Sequence, residues 1–365
     1  MERVLTGVTL PRRWPSLLGA LEGMLAAVRG GPPVPPAVGI DPADYLLGLS
    51  GLAFYTCVDL VVSSEGPTAY NFHQLLPLWE RLRVWFRYTG SAPGEPQMAA
   101  LRDQAREQIR QSLDRGWPAI AYDLGGLAEY GLVVGLEGDR LLALRPAGPP
   151  EPVTVSLADL PPADHPWSKL EVITAVAAEP DFDPAPAEEA AVRFAVDHGW
   201  APPSRDGWYY FGLRAYQAWR TALGMPRHAP GTAQGMAYCA EYLWHVRQGA
   251  ARFCRYLAES RGWAAAGRAA EAYAEAAEHL ATVRAILPFA GPAVPGPSGT
   301  TTGAEAAGGS GAEAVGAGVE SVARAEAALA DPGQRKAVAN ALYRAQQAEE
   351  RALAALEEVL RGLRW

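Results

Sequence analysis

Three apolar runs in close succession, AIAYDL, YGLVVGLE and RLLALR between residues 119 and 145, constrain this chain more than any other feature. Each has strand length, and the breaks between them are short and glycine-containing. Gly138-Asp139 separates the second run from the third, which predicts a tight hairpin. VTVSL and LEVITAVA read as two further strands. Upstream the pattern is helical. A helix from 16 to 29 ends at Gly30-Gly31 and meets PPVPP, which cannot continue it. Asp41 caps a second helix with Pro42 at its first position; that helix carries DYLLGLSGLAF and passes into the β-type run FYTCVDLVV. GPTAYNFHQLLPLWERLRVWFRYTG predicts a turn and one helix, with Leu75, Leu78, Trp79, Leu82, Trp85 and Phe86 on one face. EPQMAALRDQAREQIRQSLDRG predicts another helix, stopped by Gly116. Helices followed by a mostly antiparallel sheet indicate an α+β domain over residues 1–182.

From Asp181 the pattern changes. PAEEAAVRFAVDHG, WYYFGLRAYQAWRTALG, AQGMAYCAEYLWHVRQGAARFCRYLAESRG and AAGRAAEAYAEAAEHLATVRAIL are four helical stretches, giving an all-α domain over 183–290. Residues 291–312 are Gly, Pro, Ser, Thr and Ala-rich and read as a flexible linker. A helical hairpin closes the chain over 313–365. Its stripe of Leu342, Ala345, Ala348, Ala352, Leu353, Leu356, Val359, Leu360 and Leu363 must dock on the bundle or on a partner subunit, which makes homo-oligomerisation through these helices a candidate arrangement.

Composition narrows the partners. The net charge of −8 comes with no Lys/Arg cluster on a single predicted face, so nucleic acid is not an expected partner. No apolar run has the length of a membrane span, so no membrane partner is expected. Cys57, Cys239 and Cys254 are an odd number without metal-type spacing, which points to a reducing cytoplasm. RRWPSLLGALEGMLAAV has the two arginines and apolar stretch of a twin-arginine export signal. Glu22 interrupts that stretch, however, and Leu17, Leu18, Leu21, Met24, Leu25 and Val28 recur at helical spacing, as in a core helix.

Candidate chemistry is sparse. Cys57 falls in a predicted strand after a helix, not at a helix N-terminus where the dipole would activate a thiolate, so it reads as a structural thiol. His73 has no assignable acidic partner. Glu241/His245 and Glu275/His279 are i, i+4 pairs that read as ordinary surface pairs, so no metal is expected. Tyr209, Gly212, Tyr216 and Trp219 are expected along one helix face, either as core or lining a cleft between domains. Gly-rich phosphate loops and nucleophile elbows are absent and no cofactor is expected; GLSG at 48–51 lies inside a predicted helix.

DYLLGLSGLAF followed by GPTAYNF, then GWPAIAYDL and EYGLVVGLEGDRLLALRP, resembles in order and spacing the N-terminal domain family of butirosin biosynthesis protein H. That family has a papain-like fold related to the bacteriocin-processing cysteine peptidases. YYFGLRAYQAW and EYLWHVRQGAARFCRYLAE resemble its helical C-terminal half, and the likeness covers residues 1–290. The resemblance implies a Cys at the start of the first helix, a His at the start of the central strand, and an Asp or Asn after the following strand. Acyl transfer through a thioester needs that thiolate, its imidazole and a group to orient the ring. Here those positions hold Trp14-Pro15-Ser16, Glu129 or Tyr130, and Arg145-Pro146.

The expectation is therefore a papain-like protein without papain-type catalysis, binding a small molecule or peptide between its domains. Asp123, Glu129, Tyr130, Tyr209, Tyr216 and Trp219 are the ligand-binding candidates. An alternative is an acyl or aminoacyl transferase or hydrolase with a rebuilt site around Asp123, Glu129, Tyr130 and Cys57. Ser16 with Glu129 as base is a further variant of that alternative, although a carboxylate of ordinary pKa activates a hydroxyl poorly. A third is a structural or assembly role for the terminal helices.

Overall fold

A computed structural model describes residues 3–34, 37–91, 96–125, 128–147, 150–161, 169–225, 228, 231–289 and 311–363. In chain order these form β1 (Arg3–Val4), α1 (Ser16–Arg29), α2 (Pro42–Leu49), β2 (Cys57–Asp59), α3 (Phe72–Trp79), β3 (Val84–Ser91) and α4 (Met98–Asp114). Strands β4 (Ala119–Tyr122), β5 (Tyr130–Glu137), β6 (Arg140–Leu144), β7 (Val153–Ser156) and β8 (Leu170–Ala178) follow. Then come α5 (Pro184–Gly199), β9 (Tyr209–Phe211), α6 (Gly212–Leu223), α7 (Thr232–Arg261), α8 (Ala264–Ile286), α9 (Gly311–Ala330) and α10 (Pro332–Gly362). Helices and antiparallel sheet are mixed in the first half, and the C-terminal region is helical.

The chain divides into two compact units, Met1–Pro36 with Phe72–Pro184, and Ala37–Asn71 with Ala185–Trp365. This departs from a division at 182 alone, because residues 37–71 group with the C-terminal helices. The cause is pairing: α2 packs on α7, and β2 pairs antiparallel with β9. Most of the predicted linker, residues 291–310, lies outside the described residues.

In the first unit a seven-stranded antiparallel sheet runs β3-β8-β4-β5-β6-β7, with β1 added to β5. Gly138-Asp139 closes the β5–β6 hairpin as the sequence predicts, with Glu137 opposite Arg140. One sheet face supplies Ala119, Ala121, Val133, Leu141, Ala143 and Val172 to a core shared with Ala105, Ile109 and Leu113 of α4. The alternation of strand residues sends Leu132 to the other face, where it meets α1. The approach of α1 is close: a Cβ at Gly23 would lie 2.4 Å from the Thr9 carbonyl oxygen and 2.8 Å from Leu132 Cδ1, and one at Gly19 2.2 Å from the Pro11 oxygen. Leu17, Leu18, Leu21, Met24 and Leu25 of this helix are buried, and Glu22 is paired with Arg13 at 2.8 and 3.1 Å. Among the described residues no helix is long and apolar enough to cross a membrane.

The single helix predicted within GPTAYNFHQLLPLWERLRVWFRYTG is corrected. It stops at Trp79, a 3-10 turn covers Glu80–Leu82, and Arg83 adopts a left-handed backbone (φ 61°). VWFRYTGS then pairs with β8 along its whole length. Its aromatic and β-branched residues suit a strand, and hydrogen bonding to a neighbour far along the sequence outweighed the local helical spacing. The helix expected to start at Trp208 is corrected for the same reason. Tyr209–Phe211 are β9, and α6 begins only at Gly212, whose φ is 51° and where an added Cβ would lie 2.3 Å from the Gly199 carbonyl oxygen, so a side chain is not tolerated.

In the second unit α7, α8 and α10 form the body of the bundle, and α10 also packs on α6. The C-terminal stripe thus docks within its own unit: Leu342, Ala345, Ala348, Ala352, Leu353, Leu356 and Val359 are buried. At the centre lies an ion pair. The Arg247 guanidinium, 1% exposed, donates to both carboxylate oxygens of Glu349 (Nη2 at 3.0 Å) and to the Ala53 oxygen at 2.9 Å, and also to Thr56 Oγ1. Tyr216 donates its hydroxyl to the same carboxylate. Nearby, His198 is stacked on Tyr55 at 4.5 Å and accepts the Thr56 N–H at 3.0 Å.

Candidate functional site

In the first unit α1 and β5 bring together two of the three positions that the resemblance singled out, the helix start and the strand start. Pro15, in extended conformation, caps α1 with no side-chain hydrogen bond, so Ser16 is the first helical residue and its side chain stands at the helix start. Gly19 and Gly23 let α1 sink against Pro11, Thr9 and Leu132, which fixes Ser16 over the first residue of β5. The loop between β4 and β5 is shaped by Asp123. It has a left-handed backbone (φ 57°), donates its N–H to the Glu129 carbonyl at 2.9 Å, and accepts the Ala128 N–H on Oδ1 at 2.9 Å. Asp123 is fully buried and works as a loop organiser that presents Glu129.

The result is a latch. Ser16 Oγ donates to the Glu129 carboxylate and accepts the Tyr130 backbone N–H at 3.0 Å. Ser16 is 5% exposed and Glu129 half-buried. A hydroxyl has one donor and two acceptor directions, and this one spends its donor on a carboxylate and one acceptor on a buried amide.

A second carboxylate, which sequence reasoning missed, lies on the same sheet face. Glu171 of β8 is 4% exposed, accepts the Tyr130 hydroxyl, and accepts the Tyr88 hydroxyl at 3.2 Å. Lys169 Nζ pairs with it at 3.3 Å and sits 5.2 Å from the centre of the Tyr122 ring, itself 4.9 Å from the Tyr130 ring. Gly90 makes room for this arrangement, since the Tyr88 phenol occupies the space where a Cβ would be. Burial, and then the charge of Glu171, pushes the Tyr88 phenol above its ordinary pKa. The signal was present in LEVITAVA: Glu171 shares strand parity with Ile173 and Ala175, so a strand with a buried face carries an acid on it. Lys169 is one of only two lysines.

The remaining candidates lie elsewhere. Arg145 is laid against Gly125, and its Nε has no hydrogen-bond partner; it does not occupy the orienting role of an Asp or Asn. Trp14 is half-buried beside the helix start. Cys57 belongs to the second unit and is buried in β2. Burial raises the thiol pKa of Cys239 and Cys254, which makes them inert. Tyr216 and Trp219 are core residues of the second unit, while half-buried Tyr209 donates to Glu65 at 2.7 Å. His73 is exposed on α3. Glu241 is held by His245 (3.0 Å) and by Arg284 (2.9 Å), Glu275 by His279 and Arg351. Among the described residues no group of three or more His, Cys, Asp or Glu side chains is placed to hold a metal.

The chemistry open to this cluster is limited. No histidine hydrogen-bonds Ser16 among the described residues, so deprotonating it would fall to Glu129, and a carboxylate is a weak base towards an alcohol. No protein-family model and no curated protein matches the chain.

Proposed function

We propose that this chain is a papain-like protein, related to the butirosin biosynthesis protein H N-terminal domain family, that binds a small molecule or peptide without papain-type catalysis. The observation that supports it is the Ser16 latch. The hydroxyl standing where the resemblance calls for a nucleophile is buried and committed to Glu129 and the Tyr130 N–H. It ties the helix start to the central strand, the task of a structural hydrogen bond. Half-buried Glu129 at the rim of this latch is the residue of the first unit best placed to meet a ligand. The test is hydrolysis of p-nitrophenyl acetate and an acetyl thioester by wild type and by a Ser16→Ala/Cys57→Ala variant. Equal, background rates are expected; turnover by wild type that disappears in the variant overturns the reading.

One observation favours a second reading. Ser16 lies at the N-terminus of a 14-residue helix, hydrogen-bonded to a carboxylate, the arrangement from which a serine–carboxylate acyl transferase would be built. That reading predicts that Glu129→Gln abolishes the same turnover.

A further inference from the structure

The outer face of α6 carries a feature that neither the latch nor the bundle core uses. A cavity of about 280 Å³ opens in the second unit, lined by Leu60 after β2, by Tyr210, by Arg214, Ala218 and Thr221 along one side of α6, and by Met225 beyond its end. Leu60 and Met225 are among the few large apolar side chains left exposed, at 39% and 37%. Arg214 is the only charged residue of the lining. It lies in the first turn of α6, a turn with no acidic residue, where the helix dipole disfavours a cation. The guanidiniums of Arg247, Arg252, Arg261 and Arg284 are bound to carboxylates and that of Arg220 to the Gln346 side-chain oxygen, whereas Arg214 forms no ion pair among the described residues. An unpaired cation at the wrong end of a helix, beside exposed apolar side chains, is a local inconsistency of the kind found at binding sites.

We propose that this cavity binds a small amphipathic carboxylate. The guanidinium fork of Arg214 takes the carboxylate, with Tyr210 lining the same cavity, and the tail lies on Leu60, Ala218 and Met225. A single guanidinium matches a single negative charge; a phosphate monoester would bring a second charge with no cation to meet it. A cavity of about 280 Å³ is at the small end of ligand sites, so the ligand is small. The site lies wholly in the second unit and is independent of the reading of Ser16.

Hexanoate is the probe, with hexanol and hexylammonium as neutral and cationic controls. Titration into the full-length protein is followed through the methyl resonances of Leu60 and Met225. Saturable shifts with hexanoate, little response to hexanol and none to hexylammonium are expected. Arg214→Gln, an exposed position, weakens hexanoate by roughly tenfold or more, the loss of a charge-assisted hydrogen bond. Ala218→Phe fills the cavity and removes binding. Hexanoate binding unchanged in either variant, hexanol binding as tightly as hexanoate, or no saturable shift at tens of millimolar overturns the proposal.

Discussion

Glu349→Leu leaves the Arg247 guanidinium buried with only neutral acceptors, and the cost follows from the geometry. Arg247 is 1% exposed and cannot reach water without moving α7 or α10. Its remaining partners are the Ala53 oxygen at 2.9 Å, the Tyr55 oxygen at 3.5 Å and Thr56 Oγ1, and Tyr216 loses its acceptor as well. Removing one partner of a buried pair costs about 3–5 kcal/mol, because the charge left behind is desolvated and uncompensated. Arg247→Met carries a cost of the same order. The double variant replaces charge by apolar volume and loses far less than the two singles together, with a coupling of about 2–3 kcal/mol. Urea unfolding at pH 7 reads these differences through the midpoint, and in a thermal scan each single change lowers Tm by roughly 10 °C for a unit of this size. Singles that cost under about 1 kcal/mol, or a double variant equal to their sum, refute the burial and pairing of this ion pair. Since Glu349 lies on α10, the same result tests whether the C-terminal helix docks on its own bundle.

Other perturbations report on other parts of the account. Ser16→Ala leaves the buried Tyr130 N–H without its acceptor and is expected to cost about 1–3 kcal/mol in urea unfolding. Gly23→Ala raises helix propensity by about 1 kcal/mol, yet the new Cβ meets the Thr9 oxygen at 2.4 Å; the net effect is a loss of about 1–2 kcal/mol by the same measurement. Burial lowers the His198 pKa to about 4, against a usual 6.5. The folded state resists a proton that the unfolded chain accepts, so this contribution to stability is complete above pH 6.5 and is lost as pH falls towards 4. The loss amounts to roughly 3 kcal/mol, and a His198→Gln variant is expected to show a correspondingly shallower fall in unfolding free energy over that window.

Local chemistry made some of this legible in the sequence. Asp41-Pro42 signalled a helix start, and Asp41 accepts the Ala43 N–H at 2.8 Å. The β5–β6 hairpin was readable from Gly138-Asp139 and two apolar runs. Elements settled by distant partners were not readable. VWFRYTG continues a helical spacing and becomes a strand because β8 lies ready to pair with it, and Tyr209–Phe211 leaves its helix to pair with β2. The assignment of residues 37–71 to the second unit follows from the same long-range pairing.

At the candidate site, the positions of Ser16 and Glu129 came from motif order. Their mutual hydrogen bond depends on Asp123, whose left-handed backbone has no single-residue signature. Glu171 was missed because its significance lies in three phenol and ammonium partners contributed by β3, β5 and Lys169 just before its own strand. In α6, attention went to Tyr216 and Trp219, which are core, while Arg214 on the opposite side faces the cavity.

The central claim is that Ser16 is a structural hydroxyl and not a nucleophile. Incubation of the folded protein with an alkyl fluorophosphonate, followed by peptide mass analysis, tests it most directly, because an activated serine displaces fluoride and keeps the phosphonyl group. The account predicts an unmodified Ser16 peptide after prolonged exposure. A Ser16 adduct that forms in wild type and is lost in Glu129→Gln would contradict it.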